Sequence, residues 1–559
     1  MENYEIADQF SLLAKLMDIH GENTFKSKSY SIAAFNIEKI ETPIRNIPRE
    51  KLFSVKGIGE STGKKILEII DTGELSVLTS LVQKTPPGIL EMMKIKGIGP
   101  KKINVIWKQL EIESLGELLY ACNENRLLLY KGFGEKTQAN ISNAISFYMN
   151  NMGSYLFAQI ETYAKQMDET LKKEFSNYKI ELSGLIRRQM ETIDLLEWCT
   201  TAPPETIRDF FTSHNFELMQ ESTEHLLFKG AENVEIKIHL ANEDLFYKKV
   251  FTTSCSEPFL SAWENEFPLP PNKIESEEQI FELASVQIIP SFLRESPNII
   301  IQAKNKTLPV PVQVNDIKAI IHSHSNWSDG VNTIEEMAEE LIKRKFEFLV
   351  ISDHSKSAFY AKGLTHERII AQQQYIDELN NRFSPFKIFK SIECDILNDG
   401  SLDYTDDILK TFDLVIASVH SNLKMTEDKA MSRLLKAIEN PYVMILGHMT
   451  GRLLLSRNGY PVDHKKIIDA CAANHVAIEL NAHPRRLDMD WRWIHYALEK
   501  QVMISVDPDA HDLDGFNDIR YGVLAAQKAG LTKENNLSCF SLREFENYLT
   551  EMRKRKNIS

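Results

Sequence analysis

The chain has 559 residues, 43% of them hydrophobic and 26% charged, with a formal net charge of −14. That balance excludes a disordered or fibrous chain, and the length implies roughly three or four domains. No apolar run reaches the ~18 residues of a membrane helix, and acidic residues fall within Met1–Phe10, where a secretory leader would be basic and then apolar. The expectation is a cytoplasmic protein without a membrane partner. Six cysteines (Cys122, Cys199, Cys255, Cys394, Cys471, Cys539) lie apart with no C-x-x-C pair, which predicts reduced core thiols.

Residues 1–150 hold 19 Lys and Arg against 18 Asp and Glu, so the acidic excess lies in the rest of the chain. This front segment repeats one pattern three times: Val55-Lys56-Gly57-Ile58-Gly59, Ile95-Lys96-Gly97-Ile98-Gly99 and Tyr130-Lys131-Gly132-Phe133-Gly134. Helical stretches follow each copy (Thr62–Ile70, Lys101–Leu110, Thr137–Tyr148), which places the glycines in tight turns between helices. In such a helix-hairpin-helix arrangement glycine permits positive φ and close approach of a phosphate, while the next helix offers unpaired N–H groups. Hairpins of this kind grip nucleic-acid backbone without reading sequence. The candidate DNA-binding residues are Gly57, Gly59, Gly97, Gly99, Gly132 and Gly134, with Lys65 and Lys101. One copy alone would be an ordinary turn between helices; three with Lys at the same place favour DNA.

Residues 151–314 mix helical stretches with strand-like ones such as Val234–Leu240, whose period of two is strict, and read as an α+β domain. Pro268–Lys273 and Leu308–Val314 look like connections, and the last domain, 315–559, begins near Asn315.

From Asp316 onward an apolar, β-branched run is followed each time by acidic or His residues and then a helical stretch. Ile317–Ile321 leads to His322, His324 and Asp329; Phe348–Ile351 to Asp353 and His354; Ile388–Ile392 to Glu393. Leu414–Val419 precedes His420, Tyr442–Leu446 precedes His448, Val476–Leu480 precedes Asn481, and Val502–Val506 precedes Asp509 and His511. Seven strand-like runs with polar residues at their C-terminal ends match parallel β/α barrels, whose active sites sit at that end. Imidazoles and carboxylates suit a site for two or three divalent ions of Zn, Mn or Fe, with Mg a further choice, and clustered ions suit phosphate-ester cleavage. A single His at a strand end is more often a hydrogen-bonding residue than a ligand; seven such runs together favour a metal centre.

The motifs His322-Ser-His324-Ser-Asn-Trp-Ser-Asp329-Gly330, Ser352-Asp353-His354-Ser355, Ile392-Glu393-Cys394-Asp395, Ser418-Val-His420-Ser421, Gly447-His448-Met-Thr-Gly-Arg452 and Asp509-Ala-His511 resemble the PHP (polymerase and histidinol phosphatase) domain over about residues 316–530. Gly451-Arg452-Leu-Leu-Leu, Glu479-Leu-Asn481-Ala and Ile289-Pro290-Ser-Phe-Leu-Arg294-Glu295 are more narrowly similar to the bacterial family X DNA polymerases. The resemblance implies a multidomain α and α/β protein: an N-terminal helix-hairpin-helix domain, an α+β nucleotidyltransferase-like middle and a C-terminal distorted (β/α)7 PHP barrel. It also implies nine ligands for three metals: His322, His324, Asp329, His354, Glu393, His420, His448, Asp509 and His511. Met449 and Pro508 depart from the usual Pro and Thr. Arg452, Arg485 and Lys356 are the candidates to hold substrate phosphates, with surface salt bridges as the plainer reading.

In that family the polymerase block reads G-S-x-R-R…E-T-x-G-D-x-D-x-L, with carboxylates for two Mg²⁺ ions. Here Ser183-Gly184-Leu185-Ile186-Arg187-Arg188 is followed by Glu191-Thr192-Ile193-Asp194-Leu195-Leu196, about three residues short, leaving Asp194 as one aspartate. Glu235 stands at the third carboxylate position, Leu185 replaces a Ser, and Thr253 replaces a Gly. If a regular strand ran through Asp194, alternation would turn Glu197 to the opposite face. The polymerase region is therefore expected to be degenerate. Lys65 falls near the position of a lysine that attacks abasic sites in related polymerases, although a phosphate contact explains it with less. The leading expectation is a metal-dependent 3′-5′ exonuclease or 3′-end-processing enzyme acting on gapped, nicked or 3′-ended DNA. An active gap-filling polymerase and a non-catalytic DNA-end scaffold are the alternatives.

Overall fold

The computed structural model describes residues 3–558 apart from 41, 56–57, 96, 150–152 and 268–272. Lys56, Gly57 and Lys96 of the repeats, and all of the Pro268–Lys273 connection except Lys273, lie outside the described residues. No helix among the described residues is long and apolar enough to cross a membrane, and all six cysteines are buried and free.

Residues 1–123 with 127–149 form one helical unit. Its three hairpins share a hydrogen-bond pattern. Ile58, Ile98 and Phe133 are buried and donate to the carbonyls of Val55, Ile95 and Tyr130 at 3.0, 3.3 and 3.1 Å. The second glycine of each repeat then opens a helix, its carbonyl accepting from Gly63, Ile103 and Gln138 at 2.8, 3.0 and 2.9 Å. These helices, Glu60–Thr72, Pro100–Lys108 and Glu135–Met149, bury Ile66 and Ile69, Ile103 and Ile106, and Ile141 and Ile145 at helical spacing. Gly97 and Gly132 take φ of +95° and +99°, which side chains rarely adopt.

Residues 124–126 and 150–559 form the second unit. Its first sheet is built from β2 (Ile180–Ser183), β4 (Leu196–Thr200), β5 (Glu217–Glu221), β6 (His225–Lys229) and β7 (Glu235–Leu240), in the order β2-β4-β7-β6-β5; β1 (Tyr155–Leu156) and β3 (Thr192–Ile193) pair separately. Leu196, Trp198, Ile236 and Ile238 point into one apolar core. Strand alternation therefore puts Glu197, Cys199, Glu235, Lys237 and His239 on the other face. Helices from Phe246 to Lys304 follow, around Phe251, Trp263 and Phe281.

Beyond Val314 the strands described below pair with one another in parallel. β8 (Ala319–Ile320), β9 (Phe348–Ile351) and β10 (Lys387–Lys390) form one sheet; β11 (Glu393–Asp395), β12 (Val415–Ser418), β13 (Val443–Leu446), β14 (Ala477–Asn481) and β15 (Ile504–Asp507) form another. Parallel bridges Ser323↔Ala510 and His354↔Glu393 join the sheets. Apart from Lys387 and Lys390 of β10 the strand residues are buried, as expected of parallel strands covered on both faces. Helices alternate with them, and their starts are written locally: Thr333 and Glu336 form a capping box ahead of Ile334, Met337, Ala338 and Leu341, which are buried.

The two halves of this unit meet through buried charge. Arg188 pairs with Glu295, and the Lys528 ammonium, its side chain 0% exposed, reaches Glu295 at 2.9 Å and the Arg188 carbonyl at 2.6 Å. Burial pulls Lys528 down to about 8, against the opposing pull of Glu295.

Candidate metal centre

The polar residues predicted at the strand ends converge. Eight of the nine predicted ligands fall in three groups whose donor atoms lie within 4.8 Å of one another: His324, Asp329, His354 and His511; His322, His324 and Asp509; His354, Glu393 and His420. The ninth, His448, reaches Glu393 Oε1 through Nε2 at 2.9 Å. Glu393 stands at the centre, with Oε1 3.3 Å from His322 Nε2 and 3.1 Å from His420 Nε2, and Oε2 3.0 Å from His354 Nδ1. Asp509 Oδ1 meets His324 Nε2 at 3.0 Å.

Local backbone aims these groups. His322 and Asp509 both adopt left-handed conformations, φ +58° and +53°, a strain that persists because the paired strand ends on either side hold it. Gly330 is obligatory, since a Cβ there would lie 2.2 Å from the His324 carbonyl oxygen.

Burial alone would lower the His322 and His354 imidazoles. The carboxylates around them, Glu479, Asp509 and Glu393 for His322 and Asp329 and Glu393 for His354, overbalance it and hold both rings well above the usual histidine value. His420 and His511 are likewise raised to about 9. Burial would raise Asp329, Glu393 and Asp509, but the facing imidazoles hold all three well below the usual carboxylate range. The raised rings hold protons where divalent ions would replace them, whereas burial and the neighbouring His511 and His354 lower His324.

Divalent ions fit the atoms present. His322 Nε2, His324 Nδ1, Asp329 Oδ2, His354 Nδ1, Glu393 Oε2, His448 Nδ1 and His511 Nε2 are buried without hydrogen-bond partners, an arrangement costly for structural groups and ordinary for ligands.

Several supporting residues had no role assigned from sequence. Glu479 accepts from His322 Nδ1 and from the His448 amide at 3.2 Å. Asn481 donates to Glu479 at 2.9 Å and to Asp509 at 3.0 Å. Asp395 takes His420 Nδ1 at 2.8 Å, and Asp353 takes Ser325, Ser328 and Gln372. The available signal was a carboxylate inside the buried run Ala477–Asn481, where strand spacing puts Glu479 and Asn481 on one face.

The three phosphate candidates part company. Arg485 is buried with Nη1 unpartnered, and desolvation pulls it down to about 10. Lys356 is exposed, its ammonium 5.5 Å from the Tyr404 ring. Arg452 is committed elsewhere: its Nη2 reaches Glu191 at 2.5 Å and its Nη1 reaches Asp490 at 2.7 Å.

In the middle region Asp194 is exposed on a bend between β3 and β4, so the alternation expected to exclude Glu197 does not run through it. The register pairs Leu196 with Ile236, which brings Asp194 and Glu235 to the same end of two adjacent parallel strands. Glu197 shares the Glu235 face and bonds His239 at 2.9 Å. Leu185 packs against the core, and Thr253 Oγ1 bonds the Lys249 carbonyl at 2.8 Å.

In the helical unit, a Cβ added at Gly59, Gly97, Gly99, Gly132 or Gly134 would meet nothing within 4 Å, so packing does not demand glycine there. Lys101 is exposed and Lys65 half-buried, 5.7 Å from the Tyr30 ring.

Comparison with known proteins gives family matches in three places: a helix-hairpin-helix domain over residues 1–75, a SAM-like helix-hairpin-helix tandem over 89–145, and a PHP domain over 321–483. The chain is 31% identical to the DNA polymerase/3′-5′ exonuclease PolX of Bacillus subtilis (strain 168), across 98% of this chain and 99% of that protein. It is 27% identical to a probable phosphatase of Thermoanaerobacter sp. (strain X514), over 43% of this chain and 98% of the relative.

Proposed function

Because the chain belongs to the PolX family, whose Bacillus subtilis relative is named for DNA polymerase and 3′-5′ exonuclease activity, we propose that it shortens or cleans DNA 3′ ends by metal-dependent phosphodiester hydrolysis in residues 315–559. The convergence of five imidazoles and two further carboxylates around Glu393 carries this reading. His322, His324, Asp329, His354, Glu393, His420, His448, Asp509 and His511 would hold two or three ions, Mn or Zn foremost. Ions bound there supply positive charge to the non-bridging phosphate oxygens and acidify the attacking water. The protein's own part is orientation. Glu479 fixes the His322 ring through Nδ1, leaving Nε2 without a hydrogen-bond partner, and Asp395 fixes the His420 ring through Nδ1, with Nε2 turned to Glu393. The Arg485 guanidinium offers a phosphate a partner it otherwise lacks, and Lys356 offers charge from the solvent side.

The parallel sheets, bridged from the chain after β8 to that after β15 and from the chain after β9 to β11, support a seven-station (β/α)7 barrel in which β10 and β11 are two halves of one station. The sheet holding β4 and β7 supports a nucleotidyltransferase-like middle over 151–314. The hairpins of 1–150 would grip gapped, nicked or 3′-ended DNA through Gly59, Gly97, Gly99, Gly132, Gly134, Lys65 and Lys101.

A second reading, DNA polymerisation, is favoured by the shared strand end of Asp194 and Glu235 and by the full-length similarity to PolX. It is the activity with fewer of its groups in place, given Leu185 and Thr253.

End-labelled gapped DNA with Mn²⁺ tests the main reading. Wild type is expected to shorten the 3′ strand, and His322→Ala with His324→Ala to lose this by orders of magnitude. Equal degradation by the double variant would place the activity elsewhere.

A further inference from the structure

We infer that Glu191, contributed by the middle region, is a positioning residue for phosphodiester cleavage at the metal centre, acting through Arg452; the inference rests on the phosphoesterase reading above. Glu191 is 8% exposed and accepts from Arg452 Nη2 at 2.5 Å. Arg452 stands four residues beyond His448, and its other donors clamp a second loop. Nε reaches the Arg486 carbonyl at 3.0 Å, Nη2 also meets the Leu487 carbonyl, and Nη1 reaches Asp490 at 2.7 Å. Thr450, between His448 and Arg452, ties down the same loop by donating from N and Oγ1 to Asp488, both at 3.0 Å.

That second loop follows β14 and carries Arg485 and Arg486, and Arg486 Nε lies 3.8 Å from the candidate ligand Asp509. Buried contacts therefore run from the middle region, through one guanidinium, to both loops beside the metal centre. A guanidinium is planar with its donors in a fixed fork. Held by Glu191 on one side and by the 486–490 loop on the other, it keeps the two loops in one register. Arg492 also faces Glu191 at 3.7 Å and shares Asp490 at 2.8 Å; in Glu191→Gln, Asp490 still pairs with Arg452, and what is lost is the contact that orients the guanidinium from the middle region. The middle region then serves cleavage as well as any polymerisation.

The test compares full-length wild type, Glu191→Gln, Arg452→Lys and the double variant on bis-p-nitrophenyl phosphate and on end-labelled gapped DNA, with bound Mn²⁺ and melting temperature recorded. Glu191→Gln should lower kcat on both substrates roughly tenfold, as loss of a supporting contact behind metal ligands does, with bound metal and the KM for DNA unchanged. The double variant should be no worse than the poorer single one, because both act through one contact. Full kcat in Glu191→Gln, even with a lowered melting temperature, would reduce the pair to domain adhesion and overturn the inference. So would losses that multiply in the double variant. Wild type that cleaves neither substrate would overturn the phosphoesterase reading itself.

Discussion

Glu479 accepts the Nδ1 proton of His322, while Nε2 of the same ring faces Glu393 at 3.3 Å. Glu479→Gln keeps the shape and loses the charge that fixes this tautomer. The variant should need roughly 10- to 100-fold more Mn²⁺ for half-maximal cleavage. Titration of activity against Mn²⁺ checks this, and an unshifted curve would make Glu479 a bystander.

Lys65 and Lys101 are expected to act by charge on DNA backbone. Replacing both with Ala should flatten the slope of log affinity against log salt for gapped DNA by roughly 1 per lost phosphate contact, while hydrolysis of a small phosphodiester stays as in wild type. Fluorescence anisotropy across a salt series measures the slope. An unchanged slope would return both lysines to an ordinary solvated surface.

Primer extension is expected to be slow. In a protein silenced by His322→Ala and His324→Ala, dNTP addition with Mn²⁺ should be detectable on gapped DNA and lost on Asp194→Ala or Glu235→Ala, since two ions need both carboxylates. Leu185 lacks a hydroxyl for the triphosphate, and the Thr253 hydroxyl is already bonded within its helix. Extension that survives both substitutions would shift the carboxylate role to Glu197.

Glu277 joins Arg187 and Arg294 at 2.5 Å each. Burial would raise its carboxyl, but Arg294 and Arg187 overbalance it and hold it below the usual 4.5. A depressed carboxylate adds stability above 4.5 that is lost as pH falls through its folded pKa. Glu277→Gln should therefore cost about 3 kcal/mol at neutral pH, by stranding buried guanidinium charge, with a gap that narrows on acidification. Urea melts from pH 7 downward measure it; a constant gap would mean that packing, and not charge, sets the cost.

Legibility followed sequence distance. The hairpins could be read because Lys and Gly recur at fixed offsets, and the candidate ligands because they follow the C-terminal ends of apolar runs. For Arg452 the sequence left a phosphate contact and a salt bridge both open, because the residue that pairs with it, Glu191, lies 261 positions away, and no local pattern encodes such a pair. Glu197 was set aside by an alternation rule that needs an unbroken strand, and the bend at Asp194 breaks it. Glu479 was visible as a charge in a buried run, but its partner His322 stands just past the end of another strand, β8.

Lys528 carries a consequence for any attempt to cut the protein in two. Its ammonium is wholly enclosed, satisfied by Glu295 and by the Arg188 carbonyl, both outside residues 315–559. A severed C-terminal half would bare this cation, 4.8 Å from the Trp491 ring, and would also bare Leu487, Leu524 and Ala525, which line a pocket with Phe157 and Met190 of the middle region. Such a fragment should be sticky in dilute buffer and dispersed by added polyanions, a behaviour the intact chain is expected to lack.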